Sequence, residues 1–163
     1  MKPSGEVYSP GLGRGYVSFT SETLLQHLDE STMGWVPQEQ EVKAVLKMDG
    51  ARRCEYFVKR VVDTEQLWSL RGGDGWVLMA DDTRTPLVPV WPHERYAQEC
   101  ADGDWADCQP SPIALEAWLR AWTPGLEKDG RQVAVFPTAV GAGVVLASRE
   151  LEAALREEME NYE

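Results

Sequence analysis

Cysteine is scarce in this chain: Cys54, Cys100 and Cys108 are the only three, an odd number with no C-x-x-C pair. An exported protein would leave one of them unpaired, so free thiols in or near a core are the simpler reading. Long apolar runs are missing too. The longest weakly charged stretch, residues 132–148, is broken by Pro137, Gly141 and Gly143 and falls short of the ~18 apolar residues of a membrane span. The opening residues Met1 to Glu6 contain no apolar core of a signal peptide, and a bacterial-type cytosol is therefore the expected compartment. Basic residues are the third shortage. Sixteen Lys and Arg face 27 Asp and Glu, a formal net charge of −11. Binding to phosphate backbones rests on Lys and Arg, so nucleic acid is not an expected partner.

What is present is enough for a folded domain. The 163 residues are 43% apolar and include seven Trp, which argues against disorder. A chain of this size buries roughly 70% of its unfolded surface and needs no disulfide staples. The negative charge is local. Residues 94–107 hold five acidic residues and one basic, residues 149–163 six and two, and the remainder is nearly neutral. Such clusters either keep helix faces solvated or steer a basic partner.

The order of elements is read from period and punctuation. Residues 1–15, rich in Gly, Pro and Ser, read as an arm; Tyr16 to Phe19 suits a short strand, and a short helix with Leu24, Leu25 and Leu28 follows. Pro37 is placed to open a second helix, ending near Met48 with Gly50 as its stop. Residues 1–50 are thus expected to be an arm and short helices leaning on a main domain, 51–163. There the signals strengthen. Cys54, Phe57, Val58, Val61 and Val62 follow the i, i+3, i+4, i+7, i+8 spacing of an amphipathic helix. Residues 67–70 and 76–80, around Gly72-Gly73-Asp74-Gly75, read as a hairpin, and 87–91 as a third strand that Pro89 should confine to an edge or interrupt. Pro92 opens a short helix, and Ser111-Pro112 signals the start of another. That helix carries Trp118 and Trp122, then ends at Pro124 or restarts there as far as Gly130. Strands 133–136 and 144–147 come next, and Ser148 caps a last helix striped by Leu151, Leu155, Met159 and Tyr162. The expected fold is α+β, with a largely antiparallel sheet of about five strands packed against helices.

The segments Cys54-Glu55-Tyr56-Phe57-Val58-Lys59-Arg60-Val61, Leu67-Trp68-Ser69-Leu70, Gly75-Trp76-Val77-Leu78 and Val88-Pro89-Val90-Trp91-Pro92-His93 carry a family resemblance. So do Trp105, Leu115-Glu116-Ala117-Trp118-Leu119 and Val133-Ala134-Val135-Phe136-Pro137. Over about residues 51–160 the chain resembles the small bacterial domain-of-unknown-function family numbered 2750. The resemblance implies no activity and no catalytic residues.

The densest polar and aromatic cluster is Trp91-Pro92-His93-Glu94, at a strand-to-helix junction where His93 could act as acid or base and Trp91 could wall a pocket. A packed junction is the simpler reading, since Glu94 repels anions and no Ser or Cys nucleophile is near in sequence. His93, Cys100 and Cys108 match no compact zinc pattern, Gly11-x-Gly13-x-Gly15 lacks the context of a phosphate loop, and Asp81-Asp82 and Asp102-x-Asp104-x-x-Asp107 lack a calcium-loop frame. No metal or cofactor is expected. Trp68, Trp76, Trp118 and Trp122 suit the core, whereas Trp35 and Trp105 are candidates for exposure. The favoured function is a small acidic interaction module capturing a basic protein, such as a toxin, with Trp105, Glu94, Asp102, Asp104 and Asp107 at its surface. The alternative is a small-ligand binder or enzyme with a pocket at Trp91-Pro92-His93.

Overall fold

In the computed structural model the described residues are 7–8, 35–73, 75–80, 86–139, 141 and 143–161. The strand expected at 16–19, the helix expected after it, the Gly-rich loop, Asp81-Asp82 and Tyr162 lie outside them. Among the described residues there are a two-residue strand, β1 (Val7–Tyr8), and the helices α1 (Glu39–Leu46) and α2 (Gly50–Thr64). Then follow β2 (Gln66–Gly72), β3 (Gly75–Val77), β4 (Met79–Ala80) and β5 (Pro86–Val90). Helix α3 (Glu94–Glu99) and a 3-10 turn (Gly103–Trp105) lead to β6 (Gln109–Ala114). The next helix runs from α4 (Leu115–Ala117) through a π turn (Trp118–Trp122) into α5 (Thr123–Asp129), followed by β7 (Gln132–Val135), β8 (Val144–Ala147) and α6 (Ser148–Asn161).

The fold is α+β and mostly antiparallel, but the expected single sheet of about five strands is corrected: the described residues form two small sheets. Each has three longer strands and one two-residue strand, in the orders β1-β3-β2-β6 and β4-β5-β7-β8, and β5–β7 is a parallel pair. The sheets meet at one antiparallel bridge, where Trp68 and Trp91 exchange both backbone hydrogen bonds at 2.8 Å. The next such pair along this ladder would be Leu70 with Pro89. Proline has no N–H to donate, and its carbonyl is taken by the Ser69 hydroxyl at 2.6 Å. Pairing stops there. Pro89 therefore pairs with Ala134 of β7 on one side only, and on its other side it acts as the boundary between the two sheets.

The same logic corrects the helix start expected at Ser111-Pro112. Because Trp68 turns its backbone groups to Trp91, its neighbours Leu67, Ser69 and Arg71 turn theirs to Ile113, Ser111 and Gln109 of β6. Pro110 and Pro112 then sit at the alternate positions, where an N–H would point off the sheet. They make β6 an edge strand that cannot be extended at those residues. Pro37 and Pro92 each stand two residues before their helix, with Gln38 and His93 as N-caps. Gly50 begins α2 instead of stopping α1, since the Asp49 carboxylate accepts from the Arg52 N–H at 2.8 Å and caps it.

The α2 stripe is as expected: Phe57, Val58, Val61 and Val62 are buried, and Cys54 is half-buried. Trp68, Trp76, Trp118 and Trp122 are all core. Pro124 continues the helix, and the π turn ahead of it explains how. A proline ring crowds the carbonyl four residues back, and widening the preceding turn relieves that contact. The Thr123 hydroxyl then returns to the Trp118 carbonyl at 3.1 Å. Gly130, with φ 69°, ends α5. No helix among the described residues is long and apolar enough to cross a membrane.

Candidate functional site

The seven residues singled out from sequence do not form one site. Trp91 is fully buried; its backbone joins the sheets and its Nε1–H donates to the Pro137 carbonyl at 2.9 Å. His93 is buried as well. Its Nδ1 accepts the Arg95 N–H at 3.0 Å, capping α3, and the ring lies between Trp35, edge-on at 5.1 Å, and Trp68 at 6.1 Å. Trp105, expected at the surface, is buried: the 3-10 turn folds its ring into the core, where apolar area leaves water. Glu94, Asp102 and Asp107 are exposed. Asp104 has a described backbone within the 3-10 turn. Trp35, the other tryptophan expected at the surface, is half-buried, with the Arg60 guanidinium stacked 4.5 Å from its ring.

Burial pushes the His93 pKa down; nearby Glu41 and a hydrogen bond to the Trp35 backbone oppose that shift. A cap that accepts through Nδ1 needs that nitrogen bare, so geometry and burial both favour the neutral ring. Protonation is resisted in the folded chain and free in the unfolded one. The stabilisation is therefore whole above the ordinary value of 6.5 and is lost as pH falls through the depressed folded value. Unfolding free energy should drop from about pH 7 to about pH 5 more steeply in the wild type than in His93→Asn, which keeps a cap but cannot titrate. Parallel curves from denaturant titrations at each pH would contradict this.

Around His93 the structure assembles a polar cluster that sequence reasoning missed. The Tyr56 hydroxyl donates to Glu41 at 2.6 Å, which leaves it to accept from the Tyr96 hydroxyl at 2.9 Å. Arg60 closes on the same Glu41 carboxylate at 3.2 Å. Burial first, then these hydrogen bonds, drive the Tyr56 pKa far up; burial chiefly raises that of Tyr96 to about 12. Both phenols stay protonated at neutral pH. The cluster ties α1 to α2 and α3, with Arg95 reaching Glu39 as a second tie at 3.2 Å.

Two concavities flank this framework. One, about 530 Å³, runs between α2 and α6. Ala51, Cys54, Val58, Val144 and Ala154 line it with apolar surface, and Glu55, Lys59, Glu157, Glu158 and Asn161 supply its polar groups. Glu55, Glu157 and Glu158 have no ion-pair partner among the described residues, whereas Glu152 on the same helix is held by Arg149 and Arg156. The other cavity, about 260 Å³, lies between α3 and the β7–β8 turn. The three cysteines are free thiols, and burial raises the pKa of Cys54 and Cys108. Among the described residues no three His, Cys, Asp or Glu side chains gather closely enough to hold a metal ion.

These features define an α+β domain of two small sheets joined at a Trp–Trp bridge. A family model described as a protein of unknown function (DUF2750) matches residues 54–155, and the chain belongs to that family. The resemblance expected over 51–160 is thereby borne out. No curated protein and no solved structure matches the chain.

Proposed function

We propose that the protein is an interaction module that captures a basic partner protein in the groove between α2 and α6. The observation that carries this reading is a set of carboxylates, Glu55, Glu157 and Glu158, with no ion-pair partner among the described residues, beside an apolar floor. Glu157 and Glu158 belong to the acidic segment 149–163. Apolar surface supplies affinity, and unpaired charge supplies orientation and on-rate for a partner of opposite sign. Among the described residues that line the groove, Lys59 is the basic one. The second acidic segment is less available, because Glu99 is paired with Arg95 and Asp102 has a partner of its own. A basic toxin restrained by this module is one concrete case, by analogy with small acidic proteins that neutralise toxins. The packed Trp91-Pro92-His93 junction, with its cap nitrogen committed, gives less support to a reaction there.

The test is a titration of the full chain with an amphipathic Lys- and Leu-rich peptide. The double variant Glu157→Lys, Glu158→Lys should weaken binding about tenfold or more at low salt, and added salt should erase the difference. Glu94→Lys with Asp107→Lys, carrying the same charge change elsewhere, should alter it by no more than about threefold. Equal losses in both double variants would reduce the effect to net charge and remove the groove from the proposal.

A further inference from the structure

Glu41 is a carboxylate from α1 seated on donors that α2 supplies. Its Oε2 accepts both the Tyr56 hydroxyl at 2.6 Å and Arg60 Nη2 at 3.2 Å, the first at the distance of a charge-assisted hydrogen bond. The donors are aligned by contacts outside α1. Tyr96 donates to the Tyr56 hydroxyl at 2.9 Å, and the Tyr56 ring stands edge-on to Tyr96 at 5.9 Å and tilted on Phe136 at 6.3 Å. Arg60 lies 5.6 Å from the Tyr56 ring, with Asp63 3.8 Å from its other terminal nitrogen. Donors fixed in this way lose little freedom when a carboxylate enters.

The element that delivers Glu41 is a short one. Eight residues make a helix that is marginal by itself, and its N-cap residue Gln38 makes no side-chain cap bond. Val42 and Val45, both buried, keep α1 down, and the exposed Arg95–Glu39 pair adds little. The Arg60 and Glu41 side chains are 34% and 28% exposed, so solvent reaches the junction. Glu41 also uses the donors incompletely. Both bonds fall on one oxygen, and among the described residues the other oxygen has no partner. A carboxylate free of the helix can turn one oxygen to Tyr56 and the other to Arg60.

We propose that Tyr56 and Arg60 form a binding site for a free short-chain carboxylate, and that α1 seals this site in cis through Glu41. The chemical class follows from the present occupant, since propanoate reproduces the Glu41 side chain from Cβ to the carboxylate. An amide of the same shape lacks the charge that Arg60 reads. The Trp35 ring, 4.5 Å from the Arg60 guanidinium, covers one of its faces and strengthens that reading. Ligand and Glu41 compete for the same donors, so binding releases α1. None of these residues lines the groove between α2 and α6, and the two readings stand or fall independently.

The test compares propanoate with propanamide by heteronuclear NMR on the full chain, at ionic strength matched with sodium chloride. Glu41→Ala vacates the site and should bind propanoate at millimolar concentration, with shifts centred on residues 56, 60 and 96. Propanamide should bind it at least about tenfold more weakly. The wild type should bind propanoate about tenfold more weakly than this variant, because Glu41 competes at high effective concentration. Glu41→Gln keeps the side-chain volume and should bind between the two, which serves if the alanine variant does not fold. Adding Arg60→Gln to either variant should erase the preference for propanoate over propanamide. In the wild type, saturating propanoate should speed amide exchange in α1 about threefold and leave β2 unchanged, an effect that a merely structural tie would not produce. The proposal is overturned if neither Glu41 variant binds propanoate at millimolar concentration or if propanamide binds as well. It is equally overturned if the wild type binds as tightly as the variants, or if α1 exchange does not change.

Discussion

Trp91→Ala is expected to destabilise the protein by about 3–5 kcal/mol, within reach of the whole 5–15 kcal/mol that holds a domain folded. The size follows from where the side chain sits. It is fully buried, and its indole N–H satisfies the Pro137 carbonyl. Its backbone forms the bridge that connects the two sheets. Truncation leaves a cavity at that seam and strips the carbonyl of its nitrogen donor, leaving the longer thiol contact from Cys100. Trp91→Phe separates the contributions, because it retains most of the apolar volume and loses the hydrogen bond. It should cost roughly 1–3 kcal/mol. Urea unfolding followed by far-UV circular dichroism measures both, and the alanine variant should melt about 8–15 °C lower. A loss under about 1.5 kcal/mol for Trp91→Ala would mean that the sheets hold together without this side chain.

Much of the secondary structure was legible because it depends on neighbours in sequence. The α2 stripe repeats every three or four residues, and each of those positions is buried or half-buried. The β2–β3 hairpin follows from two strand-like runs around a short Gly-rich turn, and its Arg71–Trp76 and Gly72–Gly75 pairs fit that reading. Several of the errors fall where proline has more than one use. Pro112 suits the first turn of a helix, but it equally suits an outward-facing position on an edge strand. Only the partner strand decides between them. Pro89 points to an edge or an interruption, and the fold has the interruption: pairing ends there on one side only, and that splits one sheet into two.

The candidate sites were less legible, since they join segments far apart in sequence. Glu41 meets Tyr56 and Arg60 from a different helix, and Tyr96 arrives 40 residues later. No local period announces such a cluster. The groove left a partial signal, because the acidic segment 149–163 was marked by composition. Its position beside Glu55 and the apolar face of α2 required the fold. His93 illustrates the opposite failure: chemistry was suggested by residue type, while the backbone uses the imidazole as a helix cap.

Gly143→Ala is the second large effect, and it acts through the backbone alone. The residue has φ 77°, and a Cβ there would lie 2.3 Å from the Val135 carbonyl oxygen and 2.9 Å from the Phe136 carbonyl carbon. Both atoms belong to main chain fixed by the β7 ladder, so neither can rotate away. Relief requires moving β7 or distorting the turn that places Pro137 against Trp91. The expected cost is about 2–4 kcal/mol, combining left-handed strain with overpacking. Gly141→Ala provides the comparison, since a Cβ there meets nothing within 4 Å. It should change stability by less than about 1 kcal/mol. Chemical denaturation of the two variants side by side distinguishes a steric requirement at one glycine from a general need for a pliable turn. Equal losses at both positions would favour pliability, and they would make the close approach of Gly143 to Val135 irrelevant to stability.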